Sequence, residues 1–167
     1  MKNSLGDNWR TPPEVIDFIE CKLGAKIKLD LCSSDENAIC DFNISESDNF
    51  LDDKWLDSFL IDLGDLCWMN PPYSNPLPFV RQAIKWSKNG YAVAGILNND
   101  TSPKWFVELQ KHAALIMPIV GGRIAFIGEQ GLPVKGNNKP QVMFYLAPFG
   151  SINQQTIHVN IDEIYKE

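Results

Sequence analysis

Apolar positions along this chain fall alternately at helical and strand-like spacing. Val15, Ile16, Phe18, Ile19 and Leu23 recur at helical intervals after Pro12 and Pro13, and Gly24 stops them, which predicts a first helix. Residues 27–31 read as a short strand; a polar loop with one helical turn (33–38) separates it from a second strand candidate at 40–44. Residues 66–69, Leu-Cys-Trp-Met, predict a third strand that ends abruptly at Pro71 and Pro72. Phe79, Val80, Ala83, Ile84 and Trp86 form a second helical stripe, closed by Gly90. The continuous apolar run at 91–97 is what a strand covered on both faces requires. Ser102 and Pro103 suit the cap and first position of a helix over 104–111. Strands are predicted at 115–120, 123–127 and 142–146, and the alternation at 156–161 suits an edge strand. Segment 128–140, with three Gly, two Pro and an Asn-Asn pair, predicts a mobile loop. Strands that alternate with helices in this way predict a three-layer α/β sandwich around a largely parallel sheet. In such sheets ligands gather at the carboxyl ends of the strands.

Length and composition narrow the class. At 167 residues the chain fits one domain over 1–167, long enough to close a core without a disulfide or metal staple. No apolar stretch reaches the ~20 residues of a membrane span, and the first ten residues lack the pattern of a secretory signal, so a soluble cytoplasmic protein is expected. Cys21, Cys32, Cys40 and Cys67 include no C-x-x-C pair, and His112 and His158 lie far apart, so no metal site is expected. Fifteen Lys and Arg against 21 Asp and Glu give a net charge of −6. That balance argues against a protein that coats nucleic acid, while leaving room for a local basic face.

Asn70-Pro71-Pro72-Tyr73 directly follows a buried strand, which is where a reactive site belongs in this architecture. The two prolines fix successive φ angles and carry no N–H, so the turn is stiff and its carbonyls are free. The Asn70 amide oxygen and the Pro71 carbonyl can accept two hydrogen bonds from one planar amino group. Tyr73 offers a π-face on which a base can stack, worth ~1–3 kcal/mol. Such a site recognises an amino group on an aromatic ring or an amide. No G-x-G-x-x-G is present, which speaks against a dinucleotide cofactor, and no P-loop sequence occurs. No Cys follows a Pro, as the nucleophile of a cytosine-C5 methyltransferase typically does.

With this motif the sequence resembles the adenine-specific DNA methyltransferases, whose catalytic motif is [DNS]-P-P-[YFW]. The order of segments, the Trp9-x-Thr11-Pro12 start and the small size are similar to the phage-encoded Dam-type N6-adenine methyltransferases. The resemblance extends more loosely through residues 100–106 and 122–126, and so covers most of the chain. It implies a Rossmann-like class I methyltransferase fold, mostly parallel with an antiparallel C-terminal hairpin. It implies S-adenosylmethionine as cofactor and DNA as substrate, in the cytoplasm of a bacterial host if the gene is a phage's. The reaction it implies is direct methyl transfer to N6 of a flipped-out adenine.

The same resemblance assigns roles. Trp9, Thr11 and Pro12 form an N-terminal cofactor motif; Thr11 could equally cap the helix beside Pro12. Asp30 would partner the methionine amino group, and Cys32 and Ser33 would line a cofactor loop that here has no glycine. Asp48, followed by Asn49 and Phe50, resembles an acidic-then-aromatic segment near the cofactor's adenine. From charge alone, Arg123, Lys135 and Lys139 are the candidates for phosphate or base contact, and Arg81, Lys85, Lys88 and Lys104 could extend that surface. Methylation of a protein glutamine amide or of RNA adenine would use the same motif. A nucleic-acid-binding domain that kept the fold and lost turnover is the non-enzymatic alternative.

Overall fold

The computed structural model describes residues 7–58, 65–151 and 153–166. Residues 1–6, part of the segment read above for a secretory signal, lie outside them. The chain runs α1 (Pro13–Leu23), β1 (Ile27–Ser33), β2 (Phe42–Ser45), β3 (Leu66–Met69), α2 (Leu77–Lys88), β4 (Ala92–Asn98), α3 (Lys104–His112), β5 (Leu115–Val120), β6 (Gln141–Leu146), β7 (Gln155–Thr156), β8 (Val159–Asn160) and α4 (Ile161–Ile164). The strands form one sheet in the order β2-β1-β3-β4-β6-β5-β7, with β8 also paired to β5. Strands β2, β1, β3 and β4 run parallel, and β6 enters antiparallel between β4 and β5. The expected mostly parallel sheet with an antiparallel C-terminal pair is therefore present.

Alternation within the buried strands gives the sheet two apolar faces. Cys67, Met69, Val93, Leu97, Val142 and Phe144 pack with Val80, Ala83 and Trp86 of α2 and Trp105 and Leu109 of α3. Leu66, Trp68, Ala94, Ile96 and Met143 face the other way, onto Val15 and Ile19 of α1 and Ile164 of α4. Gly95 in β4 permits a close crossing: a Cβ there would stand 2.5 Å from the Met69 carbonyl oxygen and 2.6 Å from Phe144 Cζ. At the end of α1, Gly24 takes the left-handed conformation (φ 64°) that closes the helix.

Three expectations change. Residues 123–127 are not a strand. Ile124 and Phe126 are fully buried, so the alternation is real, but the backbone of this segment makes only isolated bridges from Ile127 to Arg10 and Pro133. The 156–161 edge strand is broken at residues 157–158 into β7 and β8, which pair with opposite ends of β5, and Asn160 ends β8 by capping α4, with Glu163 completing a capping box. Helix α3 is capped by Pro103 rather than Ser102, whose N–H and hydroxyl both donate to Asp100.

Strand order also fixes where a ligand can sit. From β1 the chain moves to β2 on one side, then crosses to β3 on the other, so the order reverses between β1 and β3. Asp30 pairs in register with Trp68, two residues before Asn70. The 30–33 segment and the 70–73 turn therefore flank the crevice at the switch point of the sheet.

Candidate active site

Asn70 leaves the carboxyl end of β3 half-buried, and its side chain is held from outside the turn. Asn70 Nδ2 donates to the Trp9 carbonyl at 3.0 Å, so Oδ1 is the free end of the amide. Among the described residues no N–H donates to Oδ1 or to the Pro71 carbonyl. The two acceptors of the motif are thus available to an incoming amino group.

The strap at residues 7–11 sets this geometry. Asp7 accepts from the backbone N–H groups of Tyr73 (2.9 Å) and Ser74 (3.3 Å) and from the Ser74 hydroxyl (3.0 Å). Arg10 pairs in both directions with Ile127 through its backbone. Trp68 Nε1 donates to Thr11 Oγ1 at 3.3 Å, while α1 is capped by Pro12 with no side-chain cap bond. Thr11 therefore ties the strap to β3 instead of capping the helix, and Pro12 lies buried beside it.

Phe126 forms the wall of the site. Its ring lies 5.8 Å from that of Trp9 and 6.2 Å, edge-on, from that of Tyr73. The Tyr73 hydroxyl is buried without a hydrogen-bond partner among the described residues, and burial pushes its pKa upward, so it stays a neutral phenol.

Across the crevice, Asp30 is 3% exposed. Its carboxylate accepts from the N–H groups of Cys32 (3.3 Å) and Ile39 (3.2 Å). Burial outweighs those donors and pushes its pKa up to about 6. No Lys, Arg or His among the described residues pairs with it. Ser33 Oγ is near enough to lower that pKa slightly, yet it makes no hydrogen bond of normal geometry. A buried carboxylate without a cation and an orphaned hydroxyl beside it suit a ligand that brings an ammonium and further polar groups. The Cys32 thiol is raised by burial and by Asp30, so it lines the loop as a neutral group.

Asp48 follows β2, the strand next to β1, and accepts from the Ser45 N–H and hydroxyl, which holds its pKa below the usual carboxylate range. Phe50 is buried in the core with its ring 5.4 Å from that of Trp86, so it packs the core instead of facing a ligand. Arg123, Lys135 and Lys139 are exposed on the 121–140 connection, and none forms a salt bridge with a described residue. Arg81 and Lys85, by contrast, are paired with Glu108 and Asp53.

The structure thus brings Trp9, Thr11, Asn70 and Tyr73 together, sets Asp30, Cys32 and Ser33 on the neighbouring strand, and leaves Arg123 exposed on the segment that carries Phe126. The sequence reading missed Asp7 and Phe126. The first sits in a polar run with no local pattern, and the second reads as one more alternating apolar residue. Among the described residues no cluster of His, Cys, Asp or Glu could hold a metal ion, and no helix is long and apolar enough to cross a membrane.

Comparison with known proteins bears on the family and the fold. The family described as DNA N-6-adenine-methyltransferase (Dam) matches residues 1–167. The DNA N-6-adenine-methyltransferase of Haemophilus phage HP1 (strain HP1c1) is 37% identical over 164 residues, covering 95% of this chain and 91% of that protein. The protein of the same description from Escherichia phage T1 is 35% identical over 179 residues, covering 97% of this chain and 72% of its own. A solved candidate class I S-adenosylmethionine-dependent methyltransferase from Listeria monocytogenes shares the fold, with a TM-score of 0.54 at 12% identity over 98% of this chain and 69% of that one.

Proposed function

This chain belongs to the Dam family of DNA N-6-adenine-methyltransferases, and from that premise we propose that it methylates the N6 amino group of adenine in DNA, with the 70–73 turn holding the amino group. The observation that carries the reading is the Asn70 amide: its nitrogen is committed to the Trp9 carbonyl, which leaves Oδ1 free, as is the carbonyl of the next residue, Pro71. Two free acceptors on successive residues suit the two hydrogens of one planar amino group.

S-adenosylmethionine, when bound, supplies the methyl group as a sulfonium electrophile. Asp30 would hold its ammonium, Ser33 and Cys32 would line it from the loop after β1, and Asp48 would face it from the loop after β2. Trp9, Thr11 and Pro12 would close over it from the strap. Asn70 Oδ1 and the Pro71 carbonyl hold the two N6 hydrogens, which favours a more tetrahedral nitrogen and turns its lone pair out of the ring plane. Pro72 stiffens the turn, and Tyr73 stacks on the flipped base with Phe126 behind it. Catalysis here is mainly orientation, and no residue needs to act as a strong base. Arg123, Lys135 and Lys139 contact the DNA backbone. Two cores on one shared sheet support a single domain over 1–167, and a DNA substrate supports a place in the cytoplasm.

Labelled methyl transfer to DNA, RNA and protein tests the substrate, and Asn70→Ala tests the site. We expect label on DNA adenine alone, and a loss of turnover of about 10²-fold or more for Asn70→Ala with cofactor binding largely kept. Near-native turnover by that variant would remove the 70–73 turn from the reaction.

A further inference from the structure

The 121–140 connection carries an apolar side chain into solvent at the end of a hydrogen-bonded reversal. Gly128 N–H donates to the Leu132 carbonyl at 2.9 Å, Gly131 N–H to the Gly128 carbonyl at 2.9 Å, and Val134 N–H to the Phe126 carbonyl at 2.7 Å. Gly131, at φ 73°, makes the turn that a residue with a Cβ would resist. The result is a short, tied hairpin, and Leu132 stands on it 66% exposed. An exposed leucine is ordinary by itself. This one shares its connection with the exposed cations Arg123 and Lys135, neither of which is in a salt bridge among the described residues, and the acid of the turn, Glu129, accepts from Asn8 Nδ2 at 3.2 Å.

The base of the hairpin is part of the site. Phe126 touches the rings of Trp9 and Tyr73, and Ile127 is paired to Arg10 on the strap. Leu132, just past the turn, and the Phe126 ring are therefore joined through the backbone hydrogen bonds of one short hairpin. Adenine inside a duplex cannot reach the 70–73 turn without leaving the stack, and the gap it leaves must be opened and held. An exposed apolar side chain on a connection that also carries free cations is what a protein needs to enter a base step while gripping nearby phosphates.

We propose that Leu132 is the wedge that enters duplex DNA beside the target adenine, with Arg123 and Lys135 holding the flanking phosphates. The proposal rests on the adenine-in-DNA reading above. Its test compares initial rates of labelled methyl transfer to two forms of a duplex containing a site that the native protein methylates. In one the adenine is paired; in the other it faces an abasic position. Leu132→Ala should lose about 10-fold or more on the paired duplex and stay within about twofold of native protein on the unpaired one, while Leu132→Phe keeps both activities. Equal rates on the paired duplex, or an equal loss on both substrates, overturn the wedge alone. Native protein that methylates no DNA overturns the adenine reading, and the wedge with it.

Discussion

Asp30 is buried with two backbone donors and no cation, and its pKa rises from 3.8 to about 6. The folded state therefore holds the Asp30 proton more tightly than the unfolded chain does. Stability from this group is fully present below about pH 4 and is lost as pH rises through about 6. Above that, the ionised carboxylate costs the apo protein about 3 kcal/mol. A ligand ammonium offsets that cost, so cofactor affinity should weaken as pH falls through about 6. Asp30→Asn should bind S-adenosylmethionine weakly with no such pH dependence, and should make the apo protein more stable above pH ~6. Calorimetry and denaturant titration across pH ~5–8 read both effects; a native affinity that is flat with pH would mean that Asp30 does not face a cation. At this scale the motif made Asn70 and Tyr73 legible, since their chemistry is written in adjacent residues. Asp7 was not, because its three contacts lie some sixty residues away in the chain and only folding joins them.

The elements divide in the same way. Strands β3 and β4 were readable because a strand buried on both faces is a plain apolar run. The 123–127 segment showed the same signal and is no strand: it buries Ile124 and Phe126, while the Ala125 N–H finds the Tyr165 hydroxyl at 3.1 Å instead of a ladder partner. Alternation reports which side chains point inward, and hydrogen-bond partners are a separate matter. The strap at residues 7–11 has no periodicity at all, yet it holds the reactive turn by Asp7, the Asn70 amide by the Trp9 carbonyl and β3 by Thr11. Asp7→Ala strips the acceptor from three donors around Tyr73 and Ser74. We expect a stability loss of about 1–2 kcal/mol and a fall in kcat of about 10-fold with little change in cofactor affinity. Asp7→Asn, which keeps one acceptor oxygen, should recover most of kcat. Steady-state kinetics beside thermal melting decide it: equal kcat in the alanine variant and the native protein would make the strap a packing element only.

Charge belongs to the whole molecule. A net −6 repels a polyanion, and part of the cationic complement is already engaged, since Lys26, Lys54, Arg81 and Lys85 each pair with a carboxylate. Arg81 and Lys85 would have to exchange these surface ion pairs for phosphates to extend a DNA-binding surface. Arg123, Lys135 and Lys139 remain together on one exposed connection, and Asp100, whose pKa is lowered chiefly by the Ser102 hydroxyl and N–H, also feels the charge of Lys139. A contact of about three phosphates releases few counterions, so the logarithm of DNA affinity should fall with the logarithm of salt at a slope near −3. Lys135→Ala should bring that slope toward about −2 without altering cofactor binding. Anisotropy titrations of a labelled duplex between about 50 and 200 mM salt measure it. A native slope of about −6 or steeper would require phosphate contacts from a second cationic face, and Lys88 and Lys104 would be the first residues to replace. The shallow slope has a functional reading as well. With few phosphates to grip, much of the discrimination between DNA sites would fall to the 121–140 connection, which carries the cations, the exposed leucine and Phe126.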